Sequence, residues 1–250
     1  MLEPQFGLEF AERLIARVQA RIRLQERPGS DGGVFLPLHN IVDGAAAGFL
    51  RLWAAIDDSQ IDRLIHFRLS SPPIDTQLLF LFGRADTAMP HFHGQVVQFG
   101  VDACVYNADI IPRLDPVDHP AYFREVYGPV TRAYWKVTTD QKNVCSMAPA
   151  NPAIAVYLSP WSIAAGRPTT KAELDKATPS IEAYIDQCLA LAGGLAYPSP
   201  PGPQMRERDQ RYLEILHSDE LDPRAWKGVY RVLGEDIGHR VKGVFAQPLR

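Results

Sequence analysis

Two histidines and a glutamine at alternate positions are the first candidates for chemistry in this chain. The stretch Gln77–Asp109, QLLFLFGRADTAMPHFHGQVVQFGVDACVYNAD, reads as three short strands joined by tight turns. A strand alternates its side chains, so the middle one sets His91, His93 and Gln95 on one face. Two imidazoles and an amide in a row are costly to bury unless something polar lies against them. That face is therefore wet or holds a ligand. His91-Phe92-His93 also invites a metal, because imidazoles two apart on a strand can chelate one ion. Such a site wants a carboxylate a few residues on, and Gln95, Val96, Val97 and Gln98 supply none. An organic ligand, half-exposed sheet histidines and a metal thus remain three readings of one pattern.

A second pair lies on an earlier strand. Arg63–Ser70, RLIHFRLS, puts His66 and Arg68 on one face and Ile65, Phe67 and Leu69 on the other. A guanidinium fork matches the two oxygens of a carboxylate, and an imidazole can move protons near neutral pH. A solvated surface pair is the plain alternative. Asp109 reads as a turn former at a strand end. Asp222-Pro223 reads as the cap of a following helix. Ser159 and Ser162 have no histidine and acid at a recognisable spacing, so a serine hydrolase is unsupported. Phosphate-loop and dinucleotide signatures are absent, and Gly193-Gly194 follows a helix, as a stop would.

The elements that must position these residues follow from periodicity. The 250 residues are 46% hydrophobic, enough for one sizeable core, and residues 1–250 are expected to form a single domain. A net charge of −3 argues against a nucleic-acid binder. Three cysteines, Cys104, Cys145 and Cys188, with no CxxC pair, fit a reducing compartment. The first residues lack a signal-peptide pattern, and no run approaches the roughly 18 apolar residues of a membrane span. A soluble, cytoplasmic protein is the expectation.

Residues 6–24 form an amphipathic helix through Phe6, Phe10, Leu14, Val18 and Ile22, with Arg13, Arg17 and Arg21 as a second stripe. That stripe is a solvated face or a docking surface for an acidic partner. Residues 43–56 suggest a short helix. Strands then dominate to residue 110, followed by a helix over 115–134 broken at Pro129. Short strands are expected at Val144–Ser146 and Ile154–Leu158. Helices follow over 171–192, with a break near Pro179, over 205–217 and over 223–244. Antiparallel strands with helices packed on the sheet describe an α+β sandwich.

Several blocks in order resemble the ferredoxin-dependent bilin reductases and their relative, red chlorophyll catabolite reductase. They are Phe82-Gly83-Arg84; Met89-Pro90-His91-Phe92-His93-Gly94-Gln95; Asn107-Ala108-Asp109-Ile110-Ile111-Pro112 with Arg113-Leu114-Asp115; and His119 to Tyr127. Leu221-Asp222-Pro223, Tyr230 to Asp236 and Arg240 to Phe245 add a C-terminal match, so the likeness covers roughly half the chain. It lies nearer the chlorophyll-catabolite branch. The resemblance implies a three-layer α/β/α sandwich with a central antiparallel sheet flanked by helices. It implies an open tetrapyrrole held between sheet and helices. It implies no bound flavin, nicotinamide or metal, with electrons arriving singly from an external ferredoxin and the substrate passing through radical states. Ferredoxins are acidic, so Arg13, Arg17 and Arg21, and the basic Lys227, Arg231 and Lys242, become docking candidates.

The departures from the family pattern shape the expected site. Gln95 stands where the family's strand acid usually is, Leu78 near the strand histidine, and His66 at a glutamate position. His66, His93 and Asp222 are therefore the expected proton donors. His91 and Gln95 would hold the ligand's polar edge, and Arg68 a propionate. The expected activity is ferredoxin-dependent reduction of a linear tetrapyrrole or similar conjugated molecule. A non-catalytic bilin carrier on the same fold and a metal-dependent enzyme using His91 and His93 are the alternatives.

Overall fold

A computed structural model shows the fold, and it describes residues 5–140, 153–198, 200 and 202–249. Its frame is an eight-stranded sheet: β1 (Leu24–Arg27), β2 (Leu36–His39), β3 (Ala46–Ala55), β4 (Ile61–Ser71), β5 (Ile74–Gly83), β6 (His91–Phe99), β7 (Ala103–Ile111) and β8 (Ile163–Thr170). The strands run β1-β3-β4-β5-β6-β7-β8, with β2 also on β3. Every pairing is antiparallel. Chain neighbours are mostly sheet neighbours, as short hairpin connections require.

The central strands are covered on both faces. On one face Leu64, Leu79, Leu81, Phe92, Val96 and Ile110 pack against α1 (Phe6–Gln19), α2 (Pro120–Tyr127), α3 (Thr131–Asp140) and α5 (Lys171–Leu191). On the other, Leu50, Ile65, Phe67, Phe80, Phe82 and Ile111 meet α6 (Gly202–Leu216), α7 (Pro223–Leu233) and α8 (Glu235–Ala246). The expected α+β, three-layer arrangement is the one observed. It explains why Leu78–Phe82 is apolar at every position, since both faces of β5 are covered.

α1 buries Phe6, Phe10, Leu14 and Val18 against the sheet. Full burial of each such side chain is worth about 1.5–3 kcal/mol. Its arginine stripe meets acids of α5. Arg13 pairs with Glu182, Arg17 lies 2.9 Å from Glu182 and 3.1 Å from Asp186, and Arg21 lies 3.6 Å from Asp186. The stripe is thus largely neutralised within the chain, and this corrects its reading as a free docking face. The far helices are tied down differently. Arg63, 1% exposed, donates to Asp62 at 2.7 Å and to the Phe245 carbonyl at 2.7 Å.

Local expectations fail where short apolar runs are ambiguous. Residues 43–56 hold β3 rather than a helix, because Gly48–Ala54 pair along β4. Ile154–Tyr157 is a helical turn, α4, rather than a strand. Val144–Ser146 lies outside the described residues. α5 runs on through Pro179, whose exposed position leaves the unbonded carbonyl near water. The expected helix over 223–244 divides into α7 and α8 at Gly234, whose φ of 80° suits glycine and whose Cβ would come within 2.6 Å of Ile41. β1 and β8 carry too little apolar alternation to be legible in advance, and the alternation of Leu36 and Leu38 in β2 spans only four residues.

Candidate functional site

The register of the central strands builds the site. Phe80 pairs with His93, Leu78 with Gln95, Gln95 with Asn107 and His91 with Ile111. Cross-strand partners share a face, so these residues form one patch, on the side that meets α6–α8. A cavity of about 370 Å³ lies between that patch and the helices. Its helical wall includes His217 just after α6, Asp222, Trp226 and Val229 of the α7 region, and Phe245 of α8. The walls are mainly apolar and aromatic. Half-buried Gln95, Asp222 and Val229 mark its mouth.

Three of the expected residues come together here: His93, Gln95 and Asp222. Asp222 also caps α7 as the sequence suggests, its Oδ1 accepting the Ala225 N–H at 3.1 Å. The His93 ring stacks on Phe80 with centroids 4.4 Å apart. Burial pushes its pKa down to about 4. Burial therefore keeps the imidazole uncharged at neutral pH, which corrects its reading as a donor already poised near neutrality.

His91 shares the strand face but not the cavity. It is 0% exposed. Its Nδ1 accepts the Gly83 N–H at 3.0 Å, so Nε2 carries the proton and donates to Asp209 Oδ1 at 2.9 Å. Arg113 Nε lies 2.9 Å from the same oxygen. Both ring nitrogens are committed. His91 can neither hold a ligand edge nor join His93 on a metal, and both expectations are corrected. Among the described residues no group of three histidine, cysteine, aspartate or glutamate side chains could hold a metal ion. The work of His91 is to anchor α6, which carries Asp209, to the sheet.

His66 and Arg68 lie on the opposite face. Phe67 lines the cavity, so its two neighbours must point away. His66 is 1% exposed, and its Nε2 donates to Gln77 Oε1 at 2.8 Å. Gln77 continues to Asp75 at 3.2 Å, and Arg68 bridges Asp75 at 3.0 Å and Gln5 at 3.2 Å. Neither residue lines this cavity, so neither can act as proton donor or propionate holder for a ligand held in it.

Three residues to which the sequence pattern assigns no chemical role stand at or beside the cavity. Asp109 is no turn former. It sits in β7, 0% exposed, across from His93 in the register. Ser159, which the sequence left without an acid partner, covers it. The Ser159 N–H and Oγ–H reach the carboxyl at 2.7 and 2.5 Å. Burial pushes its pKa up to about 7. The second, Asn107, was findable by counting parity from Asp109. The third is His217, whose ring stacks on Phe245 at 4.9 Å and lies 5.4 Å from Phe80. Burial, then the nearby His93, pushes its pKa to about 3. No local pattern marks His217, because it acquires meaning only when α6 docks.

No described helix is long and apolar enough to cross a membrane. No family model matches the chain. Red chlorophyll catabolite reductase 1, chloroplastic, of Oryza sativa subsp. japonica is 28% identical over 144 residues, 50% of this chain. The match spans 41% of that relative's length. The crystal structure of phytochromobilin synthase from tomato in complex with biliverdin is similar with a TM-score of 0.74 at 14% identity, over 96% of this chain and 82% of that one. At that identity the likeness establishes the fold. The rice protein carries the name of one of the families whose motifs the sequence resembles, and the tomato structure shares the fold.

Proposed function

We propose that this chain is a ferredoxin-dependent oxidoreductase that reduces a linear tetrapyrrole, or a conjugated molecule of similar shape, in the cavity between β5–β7 and α6–α8. The observation that carries this reading is the cavity itself. Phe80, Trp226 and Phe245 offer flat apolar walls to a conjugated ligand, and His93, Gln95, Asn107 and Asp222 offer polar atoms to its edge. A volume of about 370 Å³ is at the small end of ligand sites, so a tetrapyrrole keeps part of itself at the mouth. The fold is shared with a protein crystallised with biliverdin.

In this reading each double bond takes two electrons, singly, from the external donor, and two protons from the site or water. Gln95 cannot deliver a proton and serves to orient the ligand. Asp222, at the mouth, donates and is recharged by solvent. His93 is neutral at rest, but the negative charge that arrives with the first electron favours its imidazolium form. It can then take a proton from solvent and pass it to the reduced ligand. The donor docks on α7, where exposed Lys227 and Arg231 face away from the cavity wall that the same helix supplies.

One observation favours a second reading, a bilin carrier without catalysis. Leu78 and Gln95 leave the middle of the sheet wall without an ionisable group. One experiment separates the two. The purified protein is titrated with biliverdin and followed by absorbance, then mixed anaerobically with reduced ferredoxin. A red-shifted bound spectrum that bleaches or shifts in steps supports the reductase. A bound spectrum that stays unchanged supports the carrier. No binding removes biliverdin as substrate and turns the search to chlorophyll catabolites.

A further inference from the structure

Three buried polar atoms, on residues that line the cavity, have no hydrogen-bond partner among the described residues: His93 Nε2 from β6, Asn107 Oδ1 from β7 and His217 Nε2. Their residues are 9%, 9% and 8% exposed, and all three line the cavity. Native proteins leave few buried polar atoms unsatisfied. Three of them, from three separate elements around one void, point to a group supplied from outside.

The rings are held in place. His93 stacks on Phe80, His217 stacks on Phe245, and Phe80 touches both. Asp209, two turns before His217, fastens α6 to His91 and Arg113. The electrostatics then select the occupant. Both imidazoles are uncharged at neutral pH. No lysine or arginine is among the described lining residues, and the one ionisable acid there is Asp222. A carboxylate brought to this end would lose its water and gain no cation. A neutral imidazole nitrogen offers either an N–H or a lone pair, and Asn107 Oδ1 needs a donor. A neutral group with an N–H beside a C=O answers all three.

We propose that His217, with His93 and Asn107, forms an uncharged polar dock for a lactam or other amide-type end of the ligand, and turns carboxylate-bearing ends away toward the mouth. The dock rests on the ligand-binding reading of the cavity and deepens it by naming the group that is buried.

The test uses single-ring probes on the whole chain. A methyl-substituted pyrrolinone (the lactam) and pyrrole-2-carboxylate (the anion) are titrated separately, with imidazole nitrogen signals followed by NMR. The lactam should shift the His93 and His217 signals together and bind about tenfold more tightly than the anion, a difference worth about 1.4 kcal/mol. His217→Phe should weaken the lactam about tenfold, on the scale of one buried hydrogen bond. His217→Gln, which keeps a polar end, should recover part of that loss and serves if the phenylalanine variant folds poorly. Equal affinity for anion and lactam, a lactam that moves neither ring, or full lactam affinity in both variants would overturn the dock. Biliverdin reduction that is indifferent to His217 would sink the dock and leave the reductase standing. A lactam dock without biliverdin reduction would do the reverse.

Discussion

Replacing Asp109 with asparagine should make the protein more stable, and by an amount that depends on pH. The carboxyl is 0% exposed and its pKa is raised from 3.8 to about 7 by burial. The folded state therefore holds this proton more tightly than the unfolded chain does. Stability falls as pH rises from the unfolded value to the folded one, and levels off above it. The full penalty at alkaline pH is about 4 kcal/mol, from roughly 1.36 kcal/mol for each tenfold change in proton affinity. At pH 5.5 about half of that applies. Asparagine mimics the protonated acid. Its Oδ1 can accept the Ser159 N–H, and its Nδ2 can donate to the Ser159 hydroxyl, which also accepts from the Trp161 N–H at 3.1 Å. Asp109→Asn should thus gain on the native chain by about 2 kcal/mol more at pH 8 than at pH 5.5, or about 4–8 °C in Tm. Paired thermal melts at the two pH values measure it. A difference in Tm that is the same at both, or larger at pH 5.5, would refute the argument that the site holds a neutral carboxyl.

Other perturbations test the remaining parts. Asp209→Asn leaves Arg113 buried without its counter-charge and should cost about 3 kcal/mol or more; urea titration would show it, and an unshifted midpoint would mean the cluster does not anchor α6. His93→Ala should slow turnover far more than it weakens biliverdin binding, and an equal loss of both would argue against proton delivery. Arg17→Ala should cost less than about 1 kcal/mol, since its pairs are partly exposed, and should leave the KM for the electron donor unchanged. Lys227→Glu with Arg231→Glu should instead raise that KM severalfold at low salt, with the effect shrinking as salt is added; no change would remove α7 as the docking face. Acid should unfold the protein in a defined window. His66, His91 and His93 sit at about 4 and His217 at about 3, below the usual 6.5. The folded state binds fewer protons there, so their contribution is complete above pH 6.5 and is lost as pH falls toward 4. A stability that is flat across that window would contradict their burial in neutral form.

Periodicity and residue type, which are local properties, already specify the α+β class, the strand run from β4 to β7, the inner stripe of α1, the cap at Asp222 and the shared face of His91, His93 and Gln95. Alternation also separates His66 and Arg68 from Phe67. It cannot say which of the two faces meets a cavity, because both faces of a central strand are covered in a three-layer fold. Docking of α6 made that choice. It closed His91 against Asp209, left His93 open to the void, and brought His217 beside Phe80 from 124 positions farther along the chain than His93. Packing on this face dried out His91, His93 and His217, packing on the opposite face dried out His66, and Ser159 closed over Asp109, so burial reset the protonation of all five. The sequence by itself determines which side chains can carry a proton, a hydrogen bond or an apolar contact. Only the tertiary structure decides which of them lose water and meet one another, because desolvation and long-range contact depend on the packing of whole elements and not on neighbours in the chain.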